Sequence, residues 1–210
     1  TMIVLMSAFL LLSAFSCGGG NKANSTSEQS EETAVNVPQF DADSAYLYVK
    51  NQVDFGPRVP NTKEHVACGN YLAGQLEAFG AQVTNQYADL IAYDGTLLKA
   101  RNIIGSYKPE SKKRIALFAH WDTRPWADND PDEKNHNTPI LGANDGASGV
   151  GALLEIARLV NQQQPELGID IILLDAEDYG APQFYTGQHK EEFWCLGSQY
   201  WARNPHVQGY

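Results

Sequence analysis

Basic residues are scarce in this 210-residue sequence: 15 Lys and Arg stand against 25 Asp and Glu, giving a net charge of −10 and a pI near 4.8. With no basic stripe to neutralise phosphates, nucleic acid is excluded as a partner class. Cysteine is rarer still. Cys17, Cys68 and Cys195 are too few for a disulfide framework. Cys68 and Cys195 would pair only if the fold brought their Cα atoms within about 7 Å, and two buried free thiols are the expectation. The apolar run from Met2 to Ser16 falls short of the roughly 20 residues that cross a bilayer. No Lys or Arg precedes Lys22, so the positive start of an export signal is missing and the chain is expected to be incomplete there. What remains, 43% hydrophobic residues, suffices for one ordinary core.

Residues 1–16 have the size of a signal-peptide core. Small residues before Cys17 and a Gly-, Ser- and Asn-rich tract after it resemble a bacterial lipoprotein signal. That resemblance implies cleavage before Cys17 and a lipid on its sulfur. The chain is then expected at the cell envelope, in the periplasm or at the outer membrane, touching membrane through the lipid anchor only. Residues 17–38 carry no periodic apolar positions and read as a flexible tether.

The folded part is expected over 39–210. Asp41 or Asp43 caps a helix bearing Ala45, Tyr46, Val49 and Val53. Asn61-Thr62 caps a second, with Val66, Tyr71-Leu72, Leu76 and Phe79 as its apolar stripe. His65, in the first turn of that helix, has no acidic partner at ligand spacing and reads as surface or structural. Gln82 to Tyr87 and Leu97 to Tyr107 read as strands, the second mixing apolar and basic residues as an outer strand would. Ile115 to Ala119 is a short continuous apolar run, as in a strand buried on both faces. Gly146 to Val160 has helical spacing and Ile169 to Leu174 is the next buried strand. Strand, helix and strand with short connections make a right-handed βαβ unit. The fold class expected is α/β: three layers, α/β/α, around a mixed, centrally parallel sheet.

Ligands of such sheets gather outside the carboxyl ends of the strands. His120 and Asp122 follow one strand, Asp175 to Asp178 follow another, and Asp145 precedes the helix between them. Taken singly, each has an ordinary reading: a structural histidine, a helix cap, a solvated loop. Together they have the His-and-carboxylate composition of a zinc site.

His120-x-Asp122, Asn144-Asp145-Gly146 and Glu177-Asp178 resemble the M28-type zinc aminopeptidases and their relatives, the glutaminyl-peptide cyclotransferases. His-Trp-Asp-Thr-Arg-Pro, Leu-Asp-Ala-Glu-Asp-Tyr-Gly and Trp-Cys-Leu-Gly-Ser-Gln-Tyr-Trp-Ala are closer to the bacterial cyclotransferase branch. The resemblance implies a zinc-dependent exopeptidase-like fold and an enzyme acting on peptide or protein N-termini. It implies Asp145 and Asp178 as zinc ligands and Glu177 as the proton-transferring carboxylate. His120 would bind a second metal in a two-zinc aminopeptidase, or stand metal-free beside the single zinc of a cyclotransferase. Asp122 would orient His120. Many aminopeptidases have Glu-Glu where this chain has Glu177-Asp178, so the shorter Asp178 must approach from nearer backbone. The resemblance also implies a downstream histidine ligand, for which His189 and His206 come too early. The chain is therefore expected to lack its C-terminal part and to be nearly inactive alone. Trp121, Trp126, Trp194 and Trp201 are candidates for a pocket lining, with core or rim the commoner place for tryptophan.

Overall fold

A computed structural model describes residues 36–210. The expected signal segment, Cys17 and all of the tether except 36–38 lie outside the described residues. Among those described, no helix is long and apolar enough to cross a membrane.

Helix α1 spans Ala42–Asp54 and α2 spans Lys63–Ala78. Asp41 caps α1 by accepting from the amides of Asp43 and Ser44, and the Thr62 hydroxyl caps α2 at His65 N. Strands β1 (Gln82–Ile91), β2 (Leu97–Tyr107) and β3 (Arg114–His120) follow, then α3 (Gly149–Gln162), β4 (Gly168–Leu174) and α4 (Leu196–Arg203). The sheet order is β1-β2-β4-β3. The β3–β4 pair is parallel and bridged by α3, while β1–β2 and β2–β4 are antiparallel. The sheet is thus mixed, with the expected βαβ unit at one side.

Side-chain alternation along the strands builds two cores. Ile103, Tyr107, Ile169, Ile171 and Leu173 face α2 and α3, meeting Leu72, Leu76, Val150, Leu154 and Ala157. Burying each such aliphatic side chain contributes about 2 kcal/mol. Ile104, Ile172 and Leu174 face the other way, toward Trp201 of α4. Helices therefore cover both faces, as in a three-layer α/β/α arrangement. α1 lies against α3 where Gly151 allows close approach: a Cβ there would meet the Val49 side chain at 2.7 Å and the Ala45 carbonyl at 2.9 Å.

Five local expectations are corrected. The buried stripe of α2 is His65, Cys68, Gly69, Leu72, Ala73 and Leu76, leaving Val66 exposed; on α1, Tyr46 is likewise exposed and Gln52 buried. β1 runs on to Ile91 instead of ending at Tyr87. β2 is an inner strand, not an outer one. Its basic residues Lys99 and Arg101 sit in the half that pairs only with β1, because β4 meets β2 from Ile103 onward. β3 is paired only with β4 among the described strands, and Ile115 and Phe118 are exposed instead of doubly covered.

Candidate active site

The parallel register sets His120 of β3 beside Leu174, the last residue of β4. Both chains then leave the sheet at the same edge, Trp121 still held to it by its amide on the Leu174 carbonyl. A helical turn over Ala143–Ser148 brings Asp145 to that edge in extended conformation (φ −116°, ψ 104°) just ahead of α3. Sequence-distant acids thereby meet around one histidine.

His120 Nε2 lies 2.6 Å from Asp145 Oδ1, while Nδ1 lies 3.4 Å from Asp122 Oδ1 and 3.8 Å from Glu177 Oε2. The last two are longer than good hydrogen bonds, and Nδ1 is buried without one. Burial alone would lower the His120 pKa. The carboxylates of Asp122, Glu177 and Asp145 outweigh it and push the value up to about 9. Asp122, fully buried, also accepts from the amides of Glu177 and Asp178 at 3.1 Å each. It fixes the backbone that presents both acidic side chains.

Asp178 shows the electrostatic state of the site most clearly. Burial raises its pKa; Arg124 pulls the other way, and the charges of Asp122, Glu177 and Asp145 raise it again, to about 7. Burial is the main cause, and the neighbouring carboxylates add to it, so Asp178 holds its proton far more readily than a solvated aspartate. Arg124 donates to the Asp178 carboxylate at 3.3 Å while both its other nitrogens bind Asp128 at 2.7 and 2.5 Å. Its guanidinium lies 4.9 Å from the Trp194 ring centre and 5.6 Å from that of Trp126. Asp145, in contrast, is two-thirds exposed.

The acid-rich edge fits a cation by charge and by donor type, Asp145 and Asp178 being oxygen donors that zinc accepts. Among the described residues, no three His, Cys, Asp or Glu side chains converge as a formed metal-binding group. Neither histidine downstream of Asp178 supplies a third ligand here. His206 sits 3.5 Å from Asp170, near the opposite end of β4, and His189 bonds the Tyr185 carbonyl.

Beneath the site lies a buried support, in which His65 takes the structural one of its two expected places. His65 Nε2 contacts both oxygens of Asp175 at 3.0 and 2.8 Å, and Asp175 also accepts from the amide of Arg101 at 2.6 Å. The partner lies 110 residues away, which is why no local spacing revealed it. His65 is structural and buried. Its ring stacks on Trp121 at 4.3 Å between centroids, and Trp121 is fully buried, so that tryptophan is core. Trp201 lies on the other face of the sheet beside Phe118. Trp126 and Trp194 are the two that come near the site, through Arg124. Arg58, which no motif singles out, is fully buried and grips the carbonyls of Trp121, Leu141 and Gly142, tying the two site loops together. Both remaining thiols are free, Cys68 buried and Cys195 only half-buried, the latter against Glu177.

The sequence profile of peptidase family M28 matches residues 102–210, just over half of the chain. Several solved structures share the architecture. Glutaminyl cyclase of Bacteroides thetaiotaomicron, bound to N-acetylhistamine, is 94% identical with a TM-score of 0.82, covering 83% of this chain and 60% of its own. A leucine aminopeptidase precursor from B. thetaiotaomicron VPI-5482 is also 94% identical, with a TM-score of 0.83 and coverages of 84% and 61%. Glutaminyl cyclase of Tannerella forsythia is 58% identical, with a TM-score of 0.79 and coverages of 82% and 59%. The chain thus spans about 60% of the length of those structures, and 23% to 32% of the curated relatives it matches. With its βαβ unit, its acidic edge and that match, the chain belongs to peptidase family M28.

Proposed function

We propose that the protein containing this chain is a zinc-dependent glutaminyl-peptide cyclotransferase, converting an N-terminal Gln of peptides to pyroglutamate with release of ammonia. The observation that carries the reading is Glu177, partly exposed beside the buried Asp178 in an acidic edge, within a chain 94% identical to a glutaminyl cyclase. In the reaction the substrate's α-amine attacks its own side-chain amide, forming the ring C–N bond and expelling ammonia. Glu177 takes the proton from the attacking amine and returns it to the leaving nitrogen, one carboxylate serving as base and then acid. The nucleophile is tethered to its target, so the substrate itself provides much of the proximity. Asp145 and Asp178 would hold the metal, which supplies Lewis-acid polarisation of the amide carbonyl. Asp122 keeps the Glu177–Asp178 backbone in place, and His120 stands beside the centre without a metal of its own.

A second reading is an M28-type aminopeptidase, favoured by the 94% identity to a leucine aminopeptidase precursor. There His120 would leave Asp145 to hold a second metal, and Glu177 would take a proton from water. Under either reading, export to the cell envelope with a lipid on Cys17 remains part of the proposal, resting on the sequence alone.

The test uses the intact protein and a peptide with N-terminal Gln. Glu177→Gln is expected to abolish turnover while zinc content stays near that of the parent. Asp145→Asn and Asp178→Asn are expected to lower zinc affinity by more than about 100-fold, as loss of a ligand should exceed the roughly 10- to 100-fold effect of an outer partner. Undiminished turnover in Glu177→Gln would sink the assigned role.

A further inference from the structure

The stretch Trp194-Cys195-Leu196-Gly197 lies along the acidic loop and is not used by the chemistry above. Three successive amides run against it: Cys195 donates to the Glu177 carbonyl, Leu196 to that of Ala176 and Gly197 to that of Asp175, each at 3.0 Å. Cys195 itself is left-handed (φ 54°), an uncommon conformation for a residue with a side chain. Its side chain then reaches the residue its amide already holds, Sγ lying 3.3 Å from Glu177 Oε1. The other oxygen, Oε2, lies 3.8 Å from His120 Nδ1, beyond hydrogen-bonding distance. The two oxygens of Glu177 are therefore unlike. One receives a thiol proton, and the other has no donor within bonding range on the side of the histidine.

We infer that Cys195 is a positioning residue for Glu177, its S–H anchoring Oε1 so that Oε2 is the oxygen that takes and returns the substrate's proton. This rests on the proton-carrying role proposed for Glu177. The terminal torsion of a glutamate is broad and roughly two-fold, so an unanchored carboxylate presents either oxygen. A single donor from a fixed backbone removes that degeneracy. Burial, reinforced by the Glu177 charge, pushes the Cys195 thiol up to about 11, so it keeps its proton and remains a donor at neutral pH. A thiol is a weak donor and a hydroxyl a stronger one, whereas alanine donates nothing.

The experiment compares the intact protein with Cys195→Ala and Cys195→Ser on a peptide with N-terminal Gln. kcat, KM, zinc content and the thermal midpoint are measured for each. Cys195→Ala is expected to lower kcat about five- to tenfold, the scale of one ordinary hydrogen bond, since the thiol is a weak donor, with KM, zinc content and thermal midpoint unchanged. Cys195→Ser is expected to recover most of that loss. An alanine variant with unchanged kcat overturns the inference. So does an equal loss in the alanine and serine variants, or a loss that tracks unfolding or lost zinc. Glu177→Gln run in parallel separates the two claims. If Glu177→Gln stays active, the role of Glu177 fails; if it is dead while Cys195→Ala is fully active, only the positioning role fails.

Discussion

His120 Nε2 and Asp145 Oδ1 meet at 2.6 Å across 25 residues of chain. The contact exists because β3 and the turn before α3 reach the same edge of the sheet, and because Gly146 lets the turn close over the histidine. A Cβ at Gly146 would lie 2.4 Å from the His120 carbonyl and 2.5 Å from Nε2. Backbone and ring cannot both give way without moving Asp145.

Gly146→Ala is accordingly expected to lower kcat/KM more than tenfold in the intact protein. The fold should survive, with a stability loss of about 1–3 kcal/mol, the usual cost of forcing an extra methyl into a filled space. Steady-state kinetics and a urea midpoint check the two parts; parent-like kinetics would show that the turn has slack the geometry denies.

His65→Ala tests the support beneath the site. The substitution leaves Asp175, fully buried, without its ring partner and removes the stack on Trp121. A loss of about 3 kcal/mol is expected, the scale for stranding one member of a buried pair. Urea denaturation followed by circular dichroism measures it, and a loss below about 1 kcal/mol would mark the pair as expendable.

Metal-free protein is expected to lose stability as pH rises from about 4 to about 9. Two groups contribute, and both have folded values above their ordinary ones. Asp178, at about 7 against 3.8, favours folding when protonated, and that contribution fades as pH climbs through 7. His120, at about 9 against 6.5, contributes fully below 6.5 and loses its contribution as pH passes 9. Asp170 has the opposite sign. Burial would raise its pKa, but bonds from His206, Arg114, Ser106 and Tyr210 hold it well below the usual carboxylate range, so its contribution disappears only in acid below about 3.8. Thermal midpoints of chelator-treated protein across this range test the order; a midpoint that rises from pH 5 to 9 contradicts it.

Where periodicity was local, the sequence was enough. α3 was readable from Val150, Leu153-Leu154, Ala157 and Val160 because one face carries nearly all its apolar residues, and β2 was readable to the residue. The stripe of α2 was misjudged because buried positions include His65, Cys68 and Gly69, which no apolar count selects. Strand order was illegible for a different reason: Lys99 and Arg101 suggested an edge, yet they belong to an overhang that β4 does not reach. At the site, the residues named in advance do come to one edge, carried there by β3, β4 and the turn before α3. Arg124 and Cys195 stood inside motifs already noticed, but their partners Asp178 and Glu177 are 54 and 18 residues away. Only the fold supplies those pairings.

The reaction is read most directly from its products. The intact, zinc-loaded protein is incubated with a peptide bearing N-terminal Gln, and ammonia, free amino acid and peptide mass are followed together. One ammonia per peptide consumed, a peptide lighter by that ammonia, and no free glutamine are expected. Release of free amino acid with the side-chain amide intact would contradict the cyclotransferase reading and favour the aminopeptidase reading.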